Sequence, residues 1–154
     1  MPYSRTLSLE QALQKARHYC GYQERSHREA ETKLYSFGLR KKDVEQALST
    51  LIEENYLNEE RFAIQYACGH FRLKSWGRLR IRYELKLKQI SEYCIKKALA
   101  AIDEAEYERT LAKLAGDRAE KLTHEPKEYI RKQKLQQYLL RKGYEPDRIA
   151  AVIK

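Results

Sequence analysis

An internal repeat constrains the fold of this chain more than any other feature of its sequence. Three leucines, Leu34, Leu85 and Leu139, can be placed in register at offsets of 51 and 54 residues. Apolar residues then recur in each copy five, ten, thirteen and fourteen positions further on: Leu39, Ile90 and Tyr144; Val44, Ile95 and Ile149; Ala47, Ala98 and Val152; Leu48, Leu99 and Ile153. In every copy this spacing predicts a helix, a tight turn and a second helix with one apolar face.

Helix-start signals add one further helix before each copy. The capping-box spacing, in which two side chains satisfy free backbone donors, occurs at Ser8 with Gln11, Ser26 with Glu29, and Asp103 with Glu106. Further marks are Asn58 and Ser91 as caps, Pro126 and Pro146 at first helical positions, and Gly38 and Gly143 after helix ends. They predict about nine helices in an all-α fold of three tandem three-helix repeats, over residues 1–57, 58–102 and 103–154.

The segment from Leu79 to Lys88 alternates strictly between apolar and polar residues, which by periodicity alone favours a strand. The register of the repeat favours a helix instead. In a helix, Ile81 and Leu85 lie on one side, and Leu79, Tyr83 and Leu87 lie on roughly the opposite side. We therefore predict a helix that is packed between neighbours on both sides.

Composition agrees with a helical protein. The 154 residues include only six Gly and three Pro, and residues that favour helices dominate. No segment approaches the roughly 20 apolar residues of a membrane span, and the N-terminus has no apolar run, so we expect a cytoplasmic protein without membrane contact. The cysteines, Cys20, Cys68 and Cys94, are widely spaced, which favours buried reduced thiols over a disulfide framework or a zinc site.

Charge is polarised along the chain, whose formal net charge is +9. Residues 43–60 carry six acids and no base, whereas residues 72–97 carry nine bases against two acids, and residues 127–142 form a second basic stretch. Arg78, Arg82 and Lys86 form one helical stripe with no acid inside it, so we expect it to contact phosphates or carboxylates and to contribute little to stability. The alternative is a solvated surface. The candidate partner-binding or DNA-binding residues are Arg72, Lys74, Trp76 as an exposed ring, Arg78, Arg82, Lys86, Lys88, Lys96, Lys97, Arg131, Lys132 and Lys134.

The common catalytic signatures are absent from the sequence: it has no Gly-rich phosphate loop, no HExxH, no GxSxG and no EF-hand loop. His18 with Cys20 and Cys68 with His70 resemble ligand pairs. On a helix, however, residues i and i+2 point about 200° apart and cannot bind one ion. We predict a protein that is not an enzyme and has no cofactor, metal or catalytic residue.

One stretch of the central repeat resembles a known family. The run Tyr56-Leu57-Asn58-Glu59-Glu60-Arg61-Phe62-Ala63, followed by Lys74-Ser75-Trp76-Gly77, Ile81, Glu84-Leu85 and Lys88-Gln89-Ile90, is similar to the central signature of the RecX family. The sequence departs at Gln89, where that family usually has Gly, and at Asn58, where Asp is common. Gln89 must therefore adopt an unfavourable left-handed conformation or turn differently.

The resemblance implies an elongated, modestly curved molecule that regulates the RecA recombinase in DNA recombination, DNA repair and the SOS response. It implies binding within the groove of the RecA filament on single-stranded DNA, most often with inhibition of strand exchange, ATP hydrolysis and co-protease activity. From the residues alone, a second hypothesis is a stand-alone DNA-binding protein built from helix-turn-helix repeats. We expect a monomer whose partners are the filament and single-stranded DNA, bound directly or through the filament.

Overall fold

The computed structural model describes residues 6–153 and is all-helical over that range. Its nine helices there are α1 (Leu9–Tyr22), α2 (His27–Ser36), α3 (Lys41–Glu53), α4 (Glu59–Lys74), α5 (Arg78–Leu87), α6 (Glu92–Ala100), α7 (Glu104–Lys121), α8 (Glu128–Lys142) and α9 (Pro146–Ile153). The predicted all-α class is confirmed.

Most of the predicted helix starts carry the expected caps. Ser8 and Ser26 form complete capping boxes with the residues three positions on, so two backbone donors are satisfied at each start. Asn58, Ser91 and Asp103 accept a hydrogen bond from the backbone three residues on, without the reciprocal bond of a box. Local side-chain chemistry therefore decides where these helices begin.

One predicted start is wrong. Pro146 is the first residue of α9, as expected, but α8 begins at Glu128 with Lys127 as its N-cap, so Pro126 lies outside the helix. The reason is the preceding turn, in which the Glu125 amide donates to the Leu122 carbonyl at 3.0 Å. That turn follows the end of α7, and the next helix begins two residues later than predicted.

A left-handed residue follows the second helix of each group of three. Gly38 and Gly143 have φ angles of 87° and 101°, which glycine adopts at no steric cost. Gln89 adopts the same left-handed region, with φ of 63°, at a cost of about 1 kcal/mol for a residue with a Cβ. Of the two conformations that the sequence left open at Gln89, the structure has the unfavourable one.

The alternating segment forms α5, so the prediction of a helix is confirmed and the strand is excluded. Ile81 and Leu85 are fully buried. The prediction of neighbours on both sides is wrong, because Leu79, Tyr83 and Leu87 are exposed. No other helix covers that second apolar side within the described part of the chain.

The buried residues form two separate hydrophobic cores. Residues of α1 to α3, together with Leu57, make the first, and residues of α4 to α9 make the second. The register leucines Leu34, Leu85 and Leu139 are all fully buried. Extensive helix packing occurs within α1–α3, within α4–α6 and within α7–α9. The exact boundaries of three repeats stay a prediction.

The accessible surface is larger than that of a compact protein of this size. It measures 10156 Å², whereas a compact protein of 18.3 kDa is expected to expose about 8,100 Å².

Candidate interaction surface

Helix α5 begins against the end of α8. The amides of Gly77 and Leu79 donate to the carbonyls of Lys142 and Gly143 at 2.7 and 2.9 Å, and the Arg78 amide donates to the Tyr107 hydroxyl at 2.9 Å. A Cβ on Gly77 would overlap the Gly143 backbone, which is why no larger residue fits there. The free donors of α5 are thus satisfied by another repeat, and α5 is fixed in place.

Arg78 belongs to this framework. Its guanidinium donates to the Leu99 and Ile102 carbonyls at 3.2 Å and to Glu104 at 3.0 Å, and it lies 4.1 Å from the Tyr107 ring centroid. Because only 14% of the side chain is exposed, the expectation that it contributes little to stability is wrong for Arg78. Reversing its charge would remove these hydrogen bonds from partly buried carbonyls.

The rest of the predicted stripe is partly paired. Arg82 donates to Glu92, and the Lys86 ammonium lies 3.8 Å from the same carboxylate. The hydrogen bond from Arg82 lowers the pKa of Glu92. One carboxylate thus pairs with two cations. This side of α5 therefore keeps a net positive charge, although neither cation is entirely unpaired.

Trp76 is buried, which corrects the prediction of an exposed ring. Its indole stacks on His70 with centroids 4.6 Å apart, and His70 stacks on Tyr66 at 3.9 Å. Arg80 covers the indole at 4.3 Å from its centroid, and Lys74 lies at 5.3 Å. The ring is therefore unavailable to nucleic-acid bases in this conformation, and it anchors nearby cations instead.

The remaining candidate cations lie in several places. Arg72, Lys96 and Lys97 are exposed on α4 and α6, and Lys88 is half-buried, 5.6 Å from the Tyr66 ring. On α8, Arg131 donates to the Glu125 carbonyl, while Lys132 and Lys134 pair with Glu128 and Glu125 at 3.5 and 3.3 Å. The α8 candidates have partners within the third group of helices. They therefore form a second basic surface next to the C-terminal core.

The outward side of α5 carries an exposed apolar surface that was not predicted from the sequence. Leu79, Tyr83 and Leu87 are 44, 61 and 55% exposed and form a line at i, i+4 and i+8, which we call the α5 apolar stripe. Its ends are about 12 Å apart at 1.5 Å per residue. The strict alternation of residues 79–88 was the sequence signal for this exposed side. In a helix, such alternation creates two apolar lines on opposite sides, and a single core covers only one of them.

Side chains that commonly bind metals do not cluster in the described part of the chain. Over residues 6–153, no group of three or more His, Cys, Asp or Glu side chains could hold a metal ion. Cys20 and Cys94 are buried and Cys68 is half-buried, all as free thiols. Burial raises the pKa of Cys20. Among the described helices, none is long and apolar enough to cross a membrane.

Comparison with known proteins agrees with this architecture. The second three-helix domain of RecX matches residues 58–99, and the third matches residues 106–153. Regulatory protein RecX of Vibrio parahaemolyticus is 34% identical over 79% of this chain and 76% of its own length. Regulatory protein RecX of Clostridium perfringens strain 13 is 33% identical over 84% of this chain, which spans only 61% of that relative's length.

Solved structures share the fold. RecX from Lactobacillus salivarius superposes with a TM-score of 0.86 at 24% identity and covers 94% of both chains. A second crystal structure of a regulatory protein RecX gives a TM-score of 0.85 at 24% identity, over 94% of this chain and 70% of the other. These structures show the fold, and the domain matches and the Vibrio relative show that the chain belongs to the RecX family of regulatory proteins.

Proposed function

We propose that this chain binds a RecA recombinase filament assembled on single-stranded DNA and lowers its strand-exchange, ATPase and co-protease activities without catalysing a reaction. Membership of the RecX family carries the proposal, since the relatives are named as regulatory proteins. The polarised charge supports it. An acidic segment over residues 43–60 precedes a basic one over residues 72–97, and such a pattern orients a protein on a charged partner.

The mechanism is competition for the filament groove. An elongated chain with several basic surfaces can contact neighbouring protomers at once, and linked contacts raise the overall affinity without requiring any one of them to be strong. A chain bound in this way occupies space needed for protomer addition or for closure around DNA. The basic surfaces would meet acidic protein surface or phosphates, which adds specificity and speeds association.

The salt dependence of binding distinguishes this proposal from the alternative, a stand-alone DNA-binding protein. Binding to bare single-stranded DNA is expected to weaken steeply, with a log–log slope of about −0.7 for each phosphate contact. Co-sedimentation with RecA filaments is therefore measured at a salt concentration that abolishes binding to bare DNA, together with ATP hydrolysis. Retained filament binding with reduced hydrolysis supports the proposal, whereas equal loss of both kinds of binding favours the alternative.

Paired variants separate the two basic surfaces. Replacing Lys96 and Lys97 with Gln removes two exposed cations of the central group, and the matched control replaces Lys132 and Lys134 of α8. We expect the first pair to weaken filament binding several-fold and the control to change it by less than twofold. The opposite order would assign the main contact to α8.

A further inference from the structure

We propose that the α5 apolar stripe is a docking surface for an apolar groove with an acidic rim on a protein partner. This inference rests on the proposed function, because it names the chemistry of the filament surface that the chain would contact. Single exposed apolar residues are common on proteins and need no explanation. Leu79, Tyr83 and Leu87 instead form a continuous line along two turns of one helix, the arrangement by which a helix inserts into a groove.

The position of the stripe makes it a rigid surface. Helix α5 is fixed at its start by backbone hydrogen bonds to α8 and by Tyr107, and its inward side is fixed by fully buried Ile81 and Leu85. The outward side chains are therefore presented on a backbone that loses little conformational freedom on binding. Preorganisation of this kind improves affinity, because less entropy is lost in the complex.

Charge on both sides of the stripe identifies the partner as acidic. On one side, Arg82 and Lys86 share the single carboxylate of Glu92. On the other, Arg80 and Lys88 lie over the rings of Trp76 and Tyr66, contacts that do not neutralise them, and Glu84 offsets only one of the two. Both sides keep positive charge, so two such stripes would repel each other and an acidic rim would be attracted.

The same arrangement favours protein over nucleic acid. A surface for single strands places cations along the backbone path and aromatic rings where bases can stack. Here the centre of the surface is apolar, with two leucines and one tyrosine, and the cations flank this apolar line on both sides instead of following one path. Leucine side chains gain most from a dry apolar groove.

The test compares two double variants in filament co-sedimentation at a salt concentration that abolishes binding to bare DNA. The first replaces Tyr83 and Leu87 with Ser. The control replaces Ile52 and Leu140 with Ser, because these are 45 and 41% exposed and lie outside the stripe. We expect the stripe variant to bind at least tenfold more weakly and the control to stay within twofold of the wild type. Circular dichroism and thermal unfolding verify that both variants fold. If the double stripe variant does not fold, Leu87→Ser alone replaces it in the binding test.

Other outcomes overturn the inference. Unchanged filament binding by a folded stripe variant excludes the stripe while leaving the proposed function intact, whereas a wild-type chain that does not bind filaments rejects the function itself. Parallel binding to bare single-stranded DNA at low salt identifies nucleic acid as the occupant if the stripe variant loses it. Sedimentation of the free chain identifies self-association if the wild type is oligomeric and the stripe variant is monomeric.

Discussion

The two junctions between helical groups are built differently. Between α1–α3 and α4–α6 the contact is polar: Arg61 donates to Glu24 and to the carbonyls of Asn55 and Tyr56, and Arg28 reaches the Leu87 carbonyl at 3.5 Å. Grooves of about 400 and 600 Å³ are lined by residues from both sides of this junction. The hydrophobic cores do not join across it.

Between α4–α6 and α7–α9 the core is continuous. The Phe71 and Tyr144 rings both pack against Tyr107, with centroids 5.7 and 5.1 Å from it, and the Tyr144 hydroxyl donates to the Ser75 carbonyl at 2.9 Å. Burial, with the hydrogen bond to Glu145 as the second cause, raises the pKa of Tyr107 far above its ordinary value. A shared apolar core contributes more than a few polar contacts, so α4 to α9 are expected to unfold as one body and α1 to α3 separately.

The largest expected loss of stability comes from variants that test whether the two cores unfold separately. Leu34→Ala and Leu85→Ala remove equivalent, fully buried leucines from the two cores, and each should cost about 2 to 5 kcal/mol. Hydrogen exchange should show lost protection only in α1–α3 for Leu34→Ala, and throughout α4–α9 for Leu85→Ala. Loss of protection along the whole chain in both variants would contradict separate bodies.

A smaller effect is expected from steric change at the second junction. Gly77→Ala forces a methyl group against the Gly143 backbone and should destabilise α4–α9 by about 1 to 3 kcal/mol. Gly116→Ala, in open space within α7, is the matched control and should be neutral or stabilising by up to ~1 kcal/mol. Thermal unfolding measures both variants. Equal stability of the two would mean that the junction relaxes without cost.

At the junction between α1–α3 and α4–α6, the loss of one side chain should lower stability by a smaller amount. Arg61→Ala removes the partner of a mostly buried Glu24 carboxylate and should cost about 1 to 2 kcal/mol, mainly as faster exchange at the start of α4. Arg28→Ala, which loses one long hydrogen bond, is the control and should cost less than ~0.5 kcal/mol. Comparable effects of both variants would show that the junction depends on general surface charge.

The smallest effect is a dependence on pH. Hydrogen bonds from Arg17 and from Arg148 lower the pKa values of Glu54 and Glu104 below the ordinary 4.5. The stability from these ionised groups is present above pH 4.5 and is lost as the pH falls through their lowered values. Glu54→Gln should therefore flatten the acid sensitivity of α1–α3, and Glu104→Gln that of α4–α9, as measured by exchange between pH 5 and 3. Acid sensitivity unchanged in both variants would refute these pKa shifts.

By itself the sequence determined the helices and the inward residues. Caps such as Ser8 and Asn58 act on backbone donors within three residues, and the register of Leu34, Leu85 and Leu139 follows from helical periodicity, so both are local properties. The family resemblance of residues 56–90 was likewise readable from the sequence.

Only the tertiary structure decided which cations and apolar side chains are available to a partner. Arg78 and Trp76 look exposed in a sequence, but tertiary contacts cover both of them. Tyr107 and Glu104, which are distant in the chain, contact Arg78, whereas the nearby His70 and Arg80 pack on the Trp76 ring. Conversely, Tyr83 was predicted to be covered and is exposed, because no helix packs on the outward side of α5 in the described residues. Periodicity shows that a helix has two apolar sides, but only the arrangement of the other helices determines which of them is buried.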